Sequence, residues 1–370
     1  MNLAYIANIR LPTEKAHGYQ IMKMCEFFSK AGVQTKLFVP TRFNKLKVNP
    51  FDFYGVKNNF FIKKIFSFDL VRLSGNHIFY LKQLFSFLLF CRIYLAFKKF
   101  DILYTREIFA GLFFNNFVLE LHDLSSGPLW VKKIAYKKAK KIVVLTKYIK
   151  EEIEKDFPEF SQKIIIAPDG VDLGEFENLP NKVEARKIFN LPLDKKIIVY
   201  TGSLLPWKGI ETVLGALKSF GGDFLFVFVS GNSYDAKKYQ KEDFNLKNTR
   251  FISNADNKIL TQILRAADLL LLPNSGKEKI SKFYTSPLKL FKYMASGVPI
   301  VASDLPSLGE ILNENNAWLF KADDATDLEN VIKAALEKSD GSKEKASRAL
   351  RDVQKYGWNE RVSEILHSIA

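Results

Sequence analysis

The sequence predicts an α/β protein whose strands form parallel sheets, arranged as two halves in tandem. Two observations lead there. Apolar runs of strand length alternate with helix-period stretches, first over residues 3–167 and again over 197–320. Glycine turns punctuate the alternation, joining strand to helix at Gly202 and helix to strand at Gly297. A length of 370 residues accommodates two domains of ordinary size, and 47% hydrophobic with 26% charged residues is a globular composition.

Taken in order, residues 3–9 read as a buried strand, 10–17 as a loop, and 18–30 as a helix with Ile21, Met24, Cys25 and Phe28 on one face. Ala31-Gly32 stops that helix and 35–39 is the next strand, a β–loop–α–β opening that places a ligand beyond the carboxyl ends of the strands. Gly18 then lies where backbone can approach a ligand closely; a plain helix N-cap is the equal alternative. Residues 43–75 are irregular, basic and aromatic, and a helical stretch follows over 77–99. This region reads either as an ordinary core helix or as a surface that meets anionic lipid with lysines and aromatic rings. Its most apolar window, 78–97, is interrupted by Lys82, Gln83 and Arg92 and does not read as a membrane span. Beyond a strand at 101–105, the strand at 117–121 runs straight into His122, just past a carboxyl end where α/β proteins keep working residues. Further alternation over 129–167 delivers Pro168-Asp-Gly-Val-Asp172, a turn that closes the first domain at residue 172.

The second series starts with a strand at 197–201 that ends at Gly202-Ser203, followed by Leu-Leu-Pro-Trp-Lys208-Gly209 and a helix over 210–219. A glycine turn with a lysine at the helix start is a sensible phosphate cradle, although neither the P-loop nor the dinucleotide glycine spacing is present. Strands at 224–229 and 269–272 lead to the stretch around which this half is organised, Tyr284 to Asp304. There Ser286 is suited to cap a helix, Pro287 fits its first turn, and Gly297 stops it before an apolar strand. Free N–H groups over 286–289 favour phosphate, with Lys289 and Lys292 adding positive charge. Asp323-Asp324 reads as a helix cap, and no cluster of His, Cys, Asp and Glu has metal-ligand spacing, so no metal is expected.

A formal net charge of +15 admits nucleic acid, anionic lipid or phosphorylated ligands. The basic residues are spread through the chain and no nucleic-acid module is legible, so a membrane surface or a phosphate ligand fits better than nucleic acid. Two cysteines, Cys25 and Cys91, both in apolar helical patterns, offer no disulfide framework, which makes the cytoplasm the expected compartment. The first ten residues form a strand with no basic region before it, a poor signal peptide.

Together, Tyr200-Thr-Gly-Ser-Leu-Leu-Pro-Trp-Lys-Gly209 and Ser286-Pro-Leu-Lys-Leu-Phe-Lys-Tyr-Met-Ala-Ser-Gly297 resemble the retaining family 4 glycosyltransferases of GT-B fold. Leu121-His-Asp-Leu124, Pro168-Asp-Gly-Val-Asp172, Ala267-Asp-Leu-Leu-Leu-Leu-Pro273 and Trp358-Asn-Glu-Arg361 support the match, which covers nearly the whole chain. The resemblance implies two Rossmann-like domains facing a central cleft: residues 1–172, completed by a C-terminal helix over 356–370, on the acceptor side, and 173–355 for the nucleotide-sugar. It implies a UDP- or GDP-linked sugar as a substrate, with no cofactor, and a glycan or lipid-linked acceptor in cell-surface polysaccharide or glycolipid synthesis. The expected location is cytoplasmic, peripheral at the inner face of the membrane.

By the same resemblance Lys208 binds the donor diphosphate, backbone at Ser286, Pro287 and Leu288 caps phosphate and sugar, and Ser253, Asn254 and Ala255 touch the base. Gly18 and Gly202 allow close approach to the donor, and His122 lies beside its sugar, making His122 and Lys208 the expected catalytic pair. Three positions depart from the pattern. Tyr284 and Lys292 stand where the family often places two glutamates, and Ser203 where many relatives carry an arginine. A lysine cannot accept ribose hydroxyls, so ribose recognition has to differ; Lys289 and Lys292 are expected to supply the missing phosphate charge. A binding-only paralogue and a sugar-nucleotide epimerase of the same fold are the alternatives.

Overall fold

Strands of a parallel sheet are buried on both faces and need near-continuous apolar runs. Such runs as Leu3-Ala-Tyr-Ile6, Phe117-Val-Leu119 and Leu269-Leu-Leu-Leu272 supply them, and all are buried. The computed structural model describes residues 1–72, 76–124, 127–230, 247–253 and 255–369. The chain forms two units, Met1–Pro168 with Trp358–Ala370, and Asp169–Gly357.

In the first unit seven strands, β1 (Asn2–Ile6), β2 (Gln34–Pro40), β3 (Phe61–Ile65), β4 (Ile102–Thr105), β5 (Phe117–Leu121), β6 (Ala139–Val144) and β7 (Ile164–Ile166), lie in the order β3-β2-β1-β4-β5-β6-β7. All neighbours are parallel, with Tyr5 opposite Leu37 on one side and Tyr104 on the other. The order reverses between β1 and β4, so a crevice opens beyond their carboxyl ends. Strand β3 falls in the stretch read as irregular: its Phe-Ile-Lys-Lys-Ile sequence is an edge strand with Phe61 73% exposed, and it carries no clean alternation. The first helix is Ala16–Lys30, with Lys15 at its N-cap, so Gly18 is inside the helix and does not cap it.

The C-terminal helix Trp358–Ile369 belongs to this unit. It buries Trp358, Val362 and Ile365, and Arg361 donates from Nε to the Pro168 carbonyl (2.8 Å) and from Nη2 to that of Ala167 (3.2 Å). The helix His77–Ala96 is long and apolar enough to cross a membrane by length and composition. It buries one side, including Gln83, Phe87 and Leu88, and exposes Ile78, Leu89 and Ile93 on the other.

The second unit holds β8 (Lys196–Thr201), β9 (Phe224–Ser230), β10 (Thr249–Ser253), β11 (Leu269–Leu272), β12 (Ile300–Asp304) and β13 (Trp318–Lys321), again all parallel, in the order β10-β9-β8-β11-β12-β13. Its switch point lies between β8 and β11. Buried clusters cover both faces, one with Val199, Leu270, Phe291 and Met294, the other with Ile198, Phe226, Leu271 and Leu328. Residues 169–172, read as the end of the first domain, pack here instead: Val171 sits in this core, and its N–H donates to the Tyr356 carbonyl (3.0 Å). The helix Lys182–Ile188 starts at a capping box of Asn181 and Glu184, and its Arg186 reaches Asp268 at 2.6 Å. Asp268 of the Ala-Asp-Leu motif also accepts the Ile197 N–H (2.6 Å), which makes that aspartate a structural latch.

Candidate functional site

At the second switch point, Gly202 leaves β8 with φ 122°, and a turn at Pro206–Lys208 leads through Gly209 (φ 75°) into the helix Ile210–Leu217. A Cβ on Gly209 would lie 1.5 Å from the Pro273 carbonyl oxygen, so only glycine lets this turn close on the end of β11. The turn is held there by the Ser275 N–H (3.1 Å) and the Ser281 hydroxyl (3.1 Å), both donating to the Trp207 carbonyl. Lys208 Nζ rests 3.7 Å from the centre of the Trp207 ring, and burial lowers its pKa to about 8.

Lys289, in the first turn of the helix Leu288–Ser296, brings a second cation. Its Nζ is buried, lies 4.2 Å from the centre of the Tyr200 ring, and has no hydrogen-bond partner among the described residues. Burial, and then the Lys208 charge, push the Lys289 pKa well below its ordinary value. Two lysines brought together without a counter-charge suit an anion, which favours their charged forms. Tyr293 ties this helix to β8 by accepting the Thr201 N–H (2.8 Å), and the Tyr200 hydroxyl donates to the Ser203 carbonyl (2.7 Å). Asn274 follows β11, is fully buried, and has neither amide atom satisfied among the described residues. Sequence reasoning missed it; the signal was a polar residue directly after the Ala-Asp-Leu-Leu-Leu-Leu-Pro run.

Two expectations need correction. Ser286 does not cap the helix: Pro287 occupies the N-cap, and the Ser286 hydroxyl accepts the Asp169 N–H (3.1 Å). Lys292 is 7% exposed and its charge is met inside the protein, by Asn257 Oδ1 and by Glu175 at 3.8 Å, so it adds no free charge beside Lys208. Tyr284, 7% exposed, ends a π-helical turn, Ile280–Tyr284, that leads into this helix. Of the expected base-contacting residues, Ser253 ends β10 beside Ser230 and the Ala255 N–H donates to the Ser230 carbonyl (3.4 Å); Asn254 lies outside the described residues.

In the first unit His122 follows β5, and its Nε2 lies 2.5 Å from Glu120 Oε1. Glu120 is fully buried and also accepts from Gln20 (2.7 Å) and the Tyr104 hydroxyl, with Arg361 at 3.2 Å. Burial alone would raise its pKa, but Arg361 and His122 outweigh that and hold it well below the usual range. An ionised carboxylate thus orients the imidazole. Glu120 was not singled out in the sequence, since a glutamate inside an apolar strand pattern carries no partner information, and Arg361 entered only as the end of the Trp358-Asn-Glu-Arg361 motif. Gly18 is spoken for by packing: a Cβ there would lie 2.1 Å from the Tyr54 hydroxyl, which bonds the Thr13 N–H and carbonyl at 2.7 Å each.

Two doubly wound parallel sheets, one of them ending at a lysine-lined glycine turn, are the GT-B fold. Among solved structures the chain is similar to sucrose-phosphate synthase of Thermosynechococcus elongatus (TM-score 0.75, 18% identity, 99% of this chain and 97% of that one). It is equally similar to HepE of Anabaena, solved in complex with UDP-glucose (TM-score 0.75, 14% identity, all of both chains). Residues 181–353 match the family described as glycosyl transferases group 1. Curated relatives include a putative teichuronic acid biosynthesis glycosyltransferase, TuaC of Bacillus subtilis (26% identical over 58% of this chain and 54% of the relative). Another is the phosphatidyl-myo-inositol mannosyltransferase of Mycolicibacterium smegmatis (25% identical over 54% of this chain and 50% of the relative). The chain spans about half the length of these two relatives.

Proposed function

We propose that the chain is a retaining, metal-independent glycosyltransferase that moves a hexosyl group from a UDP- or GDP-linked donor to a glycan or lipid-linked acceptor. The carrying observation is the pair Lys208 and Lys289 at the second switch point, with the Lys289 ammonium buried and unpartnered. Glycosyl transfer builds negative charge on the leaving diphosphate. Two lysines already in place, charged once the diphosphate is bound, stabilise it without reorganisation at the moment of reaction. His122, oriented by Glu120, is assigned to the donor sugar, and the turn from Ser253 to Ala255 to the base. Relatives whose names specify teichuronic acid biosynthesis and phosphatidylinositol mannosylation support a role in cell-surface polysaccharide or glycolipid synthesis.

A cytoplasmic protein held at the inner face of the membrane completes the proposal. Phe61, Phe66 and Phe97 are 73%, 55% and 81% exposed in the same basic, aromatic region of the first unit, which suits lipid headgroups. A second reading, a binding-only paralogue, is favoured by one observation: Lys292, where the resemblance leads one to expect a glutamate, is engaged by Glu175 at 3.8 Å. Donor hydrolysis separates the two. Turnover of a UDP- or GDP-sugar that is lost in Lys208→Ala supports the transferase; tight donor binding with no turnover in any acceptor mixture supports the paralogue.

A further inference from the structure

A cavity of about 490 Å³ lies wholly in the first unit, at the switch point between β1 and β4. Ala7, Asn8 and Ile9 line it from the end of β1, and Arg106 and Glu107 from the end of β4. Nothing in the proposed donor chemistry uses it. Four cationic side chains face it: Arg10, Lys15, Arg42 and Arg106. Arg10 touches Glu14 at 3.1 Å and Arg42 touches Asp69 at 3.5 Å, but neither carboxylate lines the cavity. Arg106 donates to Gln20 Oε1 (3.1 Å), and Lys15 has no ion-pair partner among the described residues. Glu107 is the one acidic residue in the lining; it accepts the Asn8 N–H (3.1 Å), and burial favours its neutral form. His17, also in the lining, reports the positive field: burial, Arg106 and Lys15 push its pKa down to about 4, so the ring is a neutral hydrogen-bonding group.

We infer that this cavity binds the acceptor, and that the acceptor is a sugar carrying a phosphate ester. Three guanidinium forks and an ammonium match the several oxygens of a phosphate better than a single carboxylate. The volume far exceeds a bare anion and falls in the roughly 300–1,000 Å³ range of small-molecule sites, leaving room for the sugar. Asn8, neutral His17 and the Glu107 carboxyl supply hydroxyl partners. The inference rests on the transferase reading, because only that reading calls for a second substrate.

Calorimetric titration of the full chain with glucose 1-phosphate, glucose and UDP tests it without turnover. Glucose 1-phosphate should bind and glucose should not, saturating UDP should leave the affinity unchanged, and the pair Lys15→Gln with Arg42→Gln should weaken binding at least tenfold. Lys15→Glu alone, at an exposed position, guards against a folding artefact and should weaken binding as well. Octyl phosphate in a parallel arm sorts the source: tighter binding than glucose 1-phosphate supports a lipid-linked acceptor, and weaker binding a soluble one. Absence of glucose 1-phosphate binding, equal affinity in the variants, or competition by UDP overturns the inference. UDP binding that disappears in Lys208→Ala keeps the transferase reading intact even then, so the two failures are distinguishable.

Discussion

At the scale of single residues the proposal rests on Lys208 and Lys289. Replacing Lys208 by Ala removes one of two counter-charges from the leaving diphosphate, and transfer should fall by about 100- to 1,000-fold, the usual cost of losing one transition-state donor. Circular dichroism of the variant should be unchanged, because the side chain is half-buried beside a turn fixed by backbone bonds. The lowered pKa values set a pH dependence whose sign is definite. In the free protein burial lowers the Lys208 pKa to about 8, and burial with the Lys208 charge holds that of Lys289 well below its ordinary value. A bound diphosphate favours both charged forms and raises both values, so binding takes up protons, and affinity falls as pH rises above about 8. Titrating UDP or GDP in buffers of different ionisation enthalpy reads that uptake directly; proton release, or no linkage, contradicts the pairing.

At the scale of elements, the helix Ala16–Lys30 is seated by contacts that sequence reading assigned elsewhere. Gly18→Ala should destabilise the chain by about 1–3 kcal/mol through overpacking against Tyr54. The same substitution in a Tyr54→Phe background should cost less, and equal losses in urea unfolding would contradict the packing role. The Glu120–Arg361 pair joins β5 to the C-terminal helix inside the first unit, fully buried. Glu120→Gln should cost about 3–5 kcal/mol because it leaves Arg361 uncompensated. Since the folded-state pKa of Glu120 is depressed, its contribution is present above the ordinary glutamate pKa and is lost as pH falls through the lower folded value. What was legible in advance follows the same divide. Apolar runs and glycine stops placed most of the strands within a few residues, because burial on both faces leaves a trace of continuous apolar residues. Strand β3 was not legible, since an edge strand of mixed Lys and Phe has no such trace. Lys208 and Lys289 were legible from their place at helix starts. The engagement of Lys292 by Glu175 was not, because partners far apart in sequence leave no local signal; that of His122 by Glu120, two residues earlier, was hidden because a glutamate inside an apolar strand pattern carries no partner information.

On the scale of the whole molecule, two parallel sheets wound alike, one of seven strands and one of six, end in different surroundings. The second ends at a lysine pair suited to a diphosphate, and the first ends at an arginine-lined cavity and bears the exposed aromatic residues Phe61, Phe66 and Phe97. Cosedimentation should show stronger partitioning onto anionic than neutral vesicles, weakened by Phe97→Ser with Phe61→Ser; equal partitioning contradicts the electrostatic part of the membrane proposal. The central claim is that the second unit holds a nucleotide-sugar through Lys208. A thermal-shift panel of UDP, GDP, ADP and their sugars, run on the wild type and on Lys208→Ala, tests it most directly, because a ligand that binds the native state raises Tm. The account predicts a rise with the UDP or the GDP series that Lys208→Ala abolishes. No rise with any of them, or an undiminished rise in the variant, would contradict it.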